Sequence, residues 1–295
     1  MSELATEYLT TREVAELLRI KERKFYDLAA SGVVPCSRAT GKLLFPRGAV
    51  EAWLTGGGLG SKAPTRGPRP NVFLGSHDPL LEWALRESGA GVATFFDGSV
   101  DGLERFAKSE GIATGLHLYH PSAEEWNEPE VRRRFGDAPV VLVEFAWRQR
   151  GLILSPDSGL QIRTISDLKR RRIVPRQHGA GSQSLLEYLL DRDGLPPSDV
   201  TFISPARTET DAALAVLEGK ADAALGLLGL AQQCRLAFVP VMRERFDLLV
   251  DRRAWFEQPM QRFLRFCASP AFTCRAKELQ GYDVRGFGRI RFNGL

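Results

Sequence analysis

Residues 8–54, YLTTREVAELLRIKERKFYDLAASGVVPCSRATGKLLFPRGAVEAWL, decide how the N-terminal part of the chain folds. Thr10 and Thr11 stand just before a short helical pattern, and Glu13 follows at the spacing of a capping box. The pattern breaks at residues 19–21 and then restarts. The stretch therefore predicts two short helices joined by a tight turn, which is a helix-turn-helix.

Each predicted helix carries one apolar face at helical spacing. Gly32 follows the second helix, where a left-handed residue commonly ends a helix. Residues 33–46 then predict a small hairpin with a basic tip, and residues 47–54 predict a third helix. The apolar faces comprise Val14, Leu17 and Leu18 in the first helix, and Phe25, Leu28 and Ala29 in the second.

With these elements in order, the stretch resembles the winged helix-turn-helix of the MerR and excisionase type. The segments that carry this resemblance are TTREVAELL, KERKFYDLAASGVVP, the basic wing and FPRGAVEAWL. The resemblance implies that the second helix enters the major groove of double-stranded DNA, and that the protein is a homodimer. The alternative is a small helical domain for protein contacts. The residues expected to contact DNA are Thr11, Arg12, Lys21, Arg23, Lys24, Tyr26, Arg38, Thr40 and Lys42.

Charge is distributed unevenly along the 295 residues. The whole chain has 40 Lys and Arg against 36 Asp and Glu, and residues 1–70 hold 11 and 7 of these. The remainder therefore holds 29 of each sign, so the positive excess lies entirely in the N-terminal part. This pattern is typical of a small phosphate-binding head on a neutral body.

The chain shows no secretory signal and no apolar run long enough to span a membrane. Four cysteines, with only four histidines, match no zinc-binding spacing. We therefore expect a cytoplasmic protein with free thiols, no metal site and no membrane partner. Residues 55–70, TGGGLGSKAPTRGPRP, predict a linker, which gives a head at 1–54 and a body at 71–295.

The body alternates apolar strands with helical patterns, which indicates an α/β fold with a mainly parallel sheet. The segment 121–137 is expected to be irregular, and a long helix is expected at 255–268. The aromatic tail should pack on the body. Separate strands are expected at 140–147, 152–154, 238–241 and 248–250.

Three turns of the body share one composition, namely Gly75-Ser76, Gly98-Ser99 and Gly179-Ala180-Gly181-Ser182. Each is expected between a strand and a helix, at the edge of a parallel sheet where ligands bind. Hydroxyls and backbone N–H groups at helix starts suit an oxyanion. The alternative is that helix capping by serine alone explains all three turns.

The body resembles the periplasmic-binding-protein superfamily. More narrowly, it is similar to cytoplasmic substrate-binding-like (molybdate-binding-like) domains that are attached to helix-turn-helix heads or to molybdopterin-biosynthesis proteins. The matching segments include LGSHDPLLEWAL, FFDGSVDGLERFAKSEGIATGLHLYHP, RRIVPRQHGAGSQSLLEYLL and VLEGKADAALGLLGLA. The resemblance implies a type II fold of two α/β lobes joined by two crossing strands. It also implies a small oxyanion in the cleft, molybdate or tungstate, or a molybdenum-cofactor-type ligand. The residues expected to bind it are Ser76, His77, Ser99, His117, Arg176, Gln177, Gly179, Gly181 and Ser182.

Two details of these turns remained open. His77 could pair with Asp78 as acid and base, but Asp78 precedes Pro79 and better fits a helix cap. His178 stands where family members often have proline. No nucleophile elbow or phosphate-binding loop is present, so we expect no catalytic residue and no enzyme.

These features favour a one-component, DNA-binding transcriptional regulator whose body senses a small oxyanion. The alternative is a factor that binds or handles molybdenum cofactor or molybdopterin, with the head as a targeting module. A third interpretation makes the body a protein-contact domain without a ligand. The sequence does not distinguish molybdate from tungstate, because the two anions have nearly the same size and charge.

Overall fold

The structure is a computed structural model, and it describes residues 8–30, 34, 43–50, 68–156 and 161–294. The chain divides into two compact units, residues 1–67 and residues 68–295. From here on, the head means residues 1–67 and the body means residues 68–295, and each is described by itself.

The described part of the head contains two helices and a two-stranded sheet. Its elements are β1 (Tyr8–Thr10), α1 (Thr11–Leu17), α2 (Glu22–Ala30) and β2 (Leu44–Pro46), with residues 47–50 helical. β1 and β2 pair antiparallel, so the two ends of the helix-turn-helix are joined. The rings of Phe25 and Phe45 pack 4.9 Å apart, which fixes α2 against the sheet.

The capping box predicted at the start of α1 is confirmed with Thr10 as the N-cap. The Thr10 hydroxyl accepts from the Glu13 N–H, and the Glu13 carboxylate accepts from the Thr10 N–H at 2.7 Å. These two bonds satisfy backbone donors that a helix start otherwise leaves unpaired. The apolar faces form the core of the head, although Leu17 is half exposed.

The body contains a ten-stranded mixed sheet covered by helices. Its first elements are β3 (Val72–Gly75), α3 (Pro79–Glu87), β4 (Ala93–Phe96), α4 (Ser99–Ala107), β5 (Ala113–Leu116), β6 (Tyr119–His120), β7 (Glu125–Trp126), α5 (Glu128–Phe135) and β8 (Val140–Leu154). Next come a 3₁₀ turn (Ile165–Leu168), β9 (Arg172–Val174), α6 (Gly181–Arg192), a second 3₁₀ turn (Pro197–Asp199), β10 (Thr201–Phe202), α7 (Glu209–Leu217), β11 (Ala223–Leu227) and α8 (Leu228–Gln233). The last are β12 (Ala237–Asp251), α9 (Arg252–Trp255), α10 (Gln258–Cys267), α11 (Pro270–Glu278), β13 (Tyr282–Asp283) and β14 (Ile290–Asn293).

The order of strands in the large sheet is β10-β9-β11-β8-β12-β5-β3-β4. β3, β4 and β5 pair parallel and build a first lobe, whereas β9, β10 and β11 pair parallel and build a second. β8 and β12 pair with each other along their length and contribute to the cores of both lobes. The predicted two-lobed fold with two crossing strands is therefore confirmed.

Several predicted elements differ from the structure. Each of the two crossing strands is continuous, and the charged segment around Arg148 does not interrupt β8. They run antiparallel to their neighbours, so the sheet is mixed rather than mainly parallel. The segment expected to be irregular contains α5, whose buried positions are only Val131 and Phe135. Charged residues fill most of its other positions, so the sequence shows almost no apolar period.

The C-terminal region also differs in detail from its prediction. The helix expected at 255–268 is α10, which begins later, at Gln258, with Pro259 in its first turn, and a separate short helix, α9, ends at Trp255. Proline lacks an N–H and fits that first turn far better than a helix interior. The tail packs on the body as predicted, and it adds β13 and β14 to β8.

Candidate functional site

Charged side chains lie where the two crossing strands pass between the lobes. Along β8, Trp147 and Gln149 are partly exposed while Arg148 and Arg150 are buried, because alternate residues of a strand point to opposite faces. Glu244 on β12 lies opposite Arg148 in the register and is also buried. Two guanidinium groups and one carboxylate therefore face the same side of the crossing strands.

Arg148 connects Glu244 to the start of α3. Its Nη1 atom donates to the Asp78 carboxylate at 2.6 Å, and its Nη2 atom forms an ion pair with Glu244. The Tyr282 hydroxyl donates to the same Asp78 oxygen at 2.8 Å. Asp78 also caps α3, as predicted, by accepting from the Leu81 N–H at 2.7 Å.

Arg150 connects Glu244 to the second lobe. Its Nε atom lies 2.7 Å from Glu244, and its Nη2 atom donates to the Glu209 carboxylate at 3.0 Å. The Ser182 hydroxyl donates to Glu209 at 2.7 Å, and Arg176 Nη1 lies 3.0 Å from the same oxygen. Three donor groups from separate parts of the chain thus surround one carboxylate.

His117 connects Glu244 to the serines of the first lobe. Its ring Nδ1 lies 3.2 Å from Glu244, and its backbone N–H donates to the Ser99 hydroxyl at 3.2 Å. The hydroxyls of Ser76 and Ser99 lie 2.7 Å apart. All of these groups form one continuous set of polar contacts, which we call the cleft network. Its members are Ser76, Asp78, Ser99, His117, Arg148, Arg150, Arg176, Ser182, Glu209, Glu244 and Tyr282.

Two of the predicted turns meet across the cleft. The Val100 N–H, in the first turn of α4, donates to the Gly179 carbonyl at 3.1 Å. A Cβ atom on Gly98 would lie 2.9 Å from that carbonyl, and one on Gly181 would lie 2.6 Å from the His117 carbonyl. Glycine at both positions therefore permits the close approach of the two lobes.

Burial and neighbouring charges act in opposite directions on the carboxyl groups of the network. Burial alone would raise the pKa of Glu209, but Arg150 and Arg176 outweigh it and hold the pKa well below its usual range. Burial would also raise the pKa of Glu244, but Arg148 and Arg150 outweigh it and hold the pKa below its usual range. Both groups are therefore carboxylates at neutral pH.

Burial lowers the pKa of His117, and the adjacent Glu244 does not restore it. The imidazole is therefore neutral at neutral pH. Burial also lowers the pKa of Arg176, whereas the pKa of Arg150 is raised because Glu209 and Glu244 outweigh its burial. Arginine stays protonated under all ordinary conditions.

The structure brings together most of the residues predicted to bind a ligand. Five of them belong to the cleft network, and Gly179 and Gly181 form the close contacts between the lobes. Gln177 is partly buried beside the network and donates to the Arg207 carbonyl at 3.2 Å. The members from that prediction are Ser76, Ser99, His117, Arg176 and Ser182.

His77 lies apart from these groups. Its Nε2 atom lies 3.1 Å from the Glu82 carboxylate, and its ring packs against Phe96. The network therefore reaches α3 through Asp78 rather than through His77. His178 is exposed and does not belong to the cleft network.

Four charged members of the network were missed in the sequence. Arg148 and Arg150 occupy alternate positions inside a long apolar run, and Glu244 occupies the matching place in the other crossing strand. Charges at period two within an apolar strand signal a buried polar face. Glu209 gives no such signal, because an acidic residue in the first turn of a helix is ordinary.

The predicted DNA-contacting residues of the head are distributed around α1 and α2. Thr11 begins α1 and is partly buried, whereas the Arg12 side chain is exposed and pairs with Glu16 at 3.1 Å. On and before α2, the exposed residues are Lys21, Arg23, Lys24 and Tyr26. Arg38, Thr40 and Lys42 lie outside the described residues.

The described ranges lack two kinds of feature. No group of three or more His, Cys, Asp or Glu residues there is placed to hold a metal ion. No helix of this part of the chain has both the length and the apolar character that a membrane crossing needs.

Known families match both units of the chain. The PBP superfamily domain matches residues 82–268, which is well over half of the chain, and a helix-turn-helix domain matches residues 8–58. Both domains are of binding rather than catalytic kinds.

Individual relatives cover most of the chain at low identity. The "Uncharacterized protein YvgK" of Bacillus subtilis is 26% identical over 97% of this chain and 98% of its own length. A putative phosphate ABC transporter substrate-binding protein from Clostridium perfringens, solved with bound phosphate, covers 72% of this chain and 99% of its own, at 10% identity and a TM-score of 0.52. An ancestral amino acid-binding protein, AncCDT-1, covers 70% of this chain and 93% of its own, at 11% identity and a TM-score of 0.49.

The Clostridium likeness supports the fold alone, and it agrees with the two lobes and crossing strands described above. The family matches and the structure lead to one assignment. The chain belongs to the periplasmic-binding-protein (PBP) superfamily and carries a helix-turn-helix domain at its N-terminus.

Proposed function

We propose that the chain is a one-component transcriptional regulator whose head binds DNA and whose body binds a small oxyanion between its lobes. The observation that carries this proposal is the convergence of Arg150, Arg176 and Ser182 on one point of the cleft. Guanidinium and hydroxyl groups donate hydrogen bonds that match the oxygens of an anion. The exposed basic residues of α2 suit a separate polyanion, the DNA backbone.

Molybdate and tungstate are the anions that we propose first. The likeness to molybdate-binding-like domains favours them, and the cleft offers hydroxyls from both lobes, at Ser99 and Ser182. The Clostridium protein was solved with bound phosphate, so an anion is a reasonable candidate ligand here, but that protein favours no particular anion. Sulfate and phosphate are therefore the comparison ligands, and a molybdenum-cofactor-type ligand is the alternative.

The ligand would regulate DNA binding by changing the arrangement of the two lobes. We propose a cytoplasmic homodimer in which closure of the two lobes changes the spacing of the two heads. Half-sites on DNA lie about one helical turn apart, so a change in spacing alters the fit to the operator. A ligand that binds one arrangement better shifts the population toward it.

The test is a thermal-shift series on the full chain with molybdate, tungstate, sulfate and phosphate. A ligand at a hundredfold excess over its Kd stabilises the folded state by about 2.7 kcal/mol, which corresponds to roughly 5–10 °C for a body of this size. We expect a selective shift that Ser99→Ala reduces. The exposed Ser198→Ala is the matched control and should behave as the wild type. No shift with any of the four anions in the wild type would contradict the proposal of a free-oxyanion sensor.

A further inference from the structure

Glu209 is surrounded as a bound anion would be. Its Oε1 atom accepts from Ser182 at 2.7 Å and from Arg150 Nη2 at 3.0 Å, and it lies 3.0 Å from Arg176 Nη1. Its Oε2 atom accepts from Arg150 Nη1 at 3.3 Å. The side chain is almost completely buried. These donors come from β8, from the residues after β9 and from α6, so none belongs to the helix that carries Glu209.

The carboxylate has no role in capping its own helix. α7 begins with a capping box in which Thr208 accepts from the Asp211 N–H at 2.9 Å and Asp211 accepts from the Thr208 N–H at 3.0 Å. These two side chains satisfy the helix start without Glu209. Its burial therefore serves the cleft network rather than the stability of α7.

Charge balance limits how an anion can enter this place. The network contains three guanidinium groups, on Arg148, Arg150 and Arg176, and three carboxyl groups, on Asp78, Glu209 and Glu244. An anion added to this balanced set would be a buried charge without compensation, which is costly. An anion that takes the place of one carboxylate keeps the balance closer to neutral.

The segment that carries Glu209 also bridges the lobes. Arg176 donates to the carbonyls of Ala206 and Arg207, at 3.0 and 2.8 Å, and so fixes the backbone of this segment. The Arg207 guanidinium in turn pairs with Asp97 of the first lobe at 3.1 Å. Glu209 and a contact between the lobes therefore lie within one short segment of the chain.

We propose that Glu209 is an internal occupant of the oxyanion site, and that the ligand binds between Arg150, Arg176 and Ser182 by displacing its carboxylate. This inference rests on the proposed function and adds to it the place of the anion and the group that competes with it. Glu209 then sets the affinity of the site. It also links the site to the lobes, because Arg207, which contacts the first lobe, lies two residues before it in the same segment.

The test is Glu209→Gln in the full chain, studied by isothermal titration calorimetry with molybdate, tungstate, sulfate and phosphate. Glutamine keeps the size of the side chain and removes its charge. We expect the variant to have a lower Tm than the wild type without anion, and to bind the oxyanion at least tenfold more tightly. The matched control is Glu218→Gln, just after the same helix, where the carboxylate is exposed and pairs with Lys220.

The outcomes separate this inference from the proposed function. Wild-type binding that Glu209→Gln leaves unchanged or weakens would overturn the inference and leave the oxyanion sensor standing. Binding by the variant alone would support the inference and contradict free-oxyanion sensing by the wild type. Absence of binding in both would contradict both. If Glu209→Gln does not fold, Glu209→Asp decides, because its shorter side chain withdraws the carboxylate. That variant should bind more tightly than the wild type, and equal or weaker binding overturns the inference.

Discussion

Basic residues are used in opposite ways in the two units of the chain. On α2 of the head, Arg23 and Lys24 are exposed to solvent. In the cleft of the body, Arg148 and Arg150 are fully buried and paired with carboxylates. Exposed cations keep their hydration and suit a large polyanion that brings its own charge. Buried cations require a partner at all times, so a small ligand there must compete with the carboxylates already in place.

The largest effect is expected where a buried pair is broken. Glu244→Gln should lower the free energy of unfolding by about 3–5 kcal/mol, because Arg148 and Arg150 would lose a shared buried partner. Urea unfolding measures the change. The control is Glu87→Gln, whose carboxylate is exposed beside Arg86, and it should stay within about 0.5 kcal/mol of the wild type. Equal stability of the two variants would show that burial does not distinguish these charges.

The exposed cations of the head should affect DNA binding and leave stability unchanged. The double variant Arg23→Ala and Lys24→Ala should bind all duplex DNA about 10–100-fold more weakly near 0.1 M salt. The slope of log K against log salt is negative and should become less steep by about 1.8, since each lost phosphate contact releases about 0.9 fewer counterions. Titration of labelled duplex at several salt concentrations measures both quantities.

The control for this variant removes two exposed charges from the body instead. Arg86→Ala with Lys108→Ala changes the net charge equally but lies outside α2. It should leave the salt slope as in the wild type. If both double variants lose the same affinity, the effect comes from net charge and the assignment of α2 as the recognition helix is wrong.

Asp247 is a buried carboxyl that pairs with one arginine, Arg245, whereas Glu244 pairs with two. Burial raises its pKa to about 6, and the pairing with Arg245 does not cancel that effect. The folded state then binds the proton more tightly than the unfolded state. The contribution of Asp247 to stability is complete below its unfolded pKa, near 4, and is lost as the pH rises through about 6.

Asp247→Asn should therefore change how stability depends on pH. Between pH 4 and 6, the slope of the free energy of unfolding against pH should be more negative in the wild type than in the variant. The difference in slope should be up to about 1.4 kcal/mol for each pH unit. Urea unfolding across this range measures the difference. Parallel curves for the two proteins would show that Asp247 has the same pKa in both states.

The smallest effect is expected at the exposed pair between the lobes. Arg207→Ala removes the contact with Asp97, in which the arginine side chain is 76% exposed. Such a pair contributes only about 0.2–1 kcal/mol, and salt screens it. Urea unfolding at low and high salt should show a small loss at low salt that disappears at high salt. A loss comparable to that of Glu244→Gln would contradict the distinction between exposed and buried charges.

Local signals in the sequence predicted local features well. Thr10 and Glu13 predicted the capping box, and Asp78 before Pro79 predicted the cap of α3. Both features depend on residues three apart along the chain. The two-lobed fold followed from the order of motifs that resembles a known superfamily, and the family match and the sheet order confirm it.

The cleft network could not be predicted in the same way, because its contacts join distant parts of the chain. Asp78 is 70 residues from Arg148 and 204 from Tyr282, and no local pattern links them. The polar residues of β8 led instead to a predicted break in the strand. Glu209 resembles any acidic residue at a helix start, and only the assembled lobes place it among arginines from other elements.

In the proposed regulator, oxyanion binding in the body changes DNA binding by the head. The direct measurement first selects a preferred duplex from a random-sequence pool with the full chain. The affinity for that duplex is then compared with and without a saturating concentration of the anion that stabilises the protein. We expect a change of about 5–150-fold, the usual range of coupling between two sites. If the anion and the duplex both bind but the affinity for the duplex stays the same within twofold, the proposed coupling is contradicted.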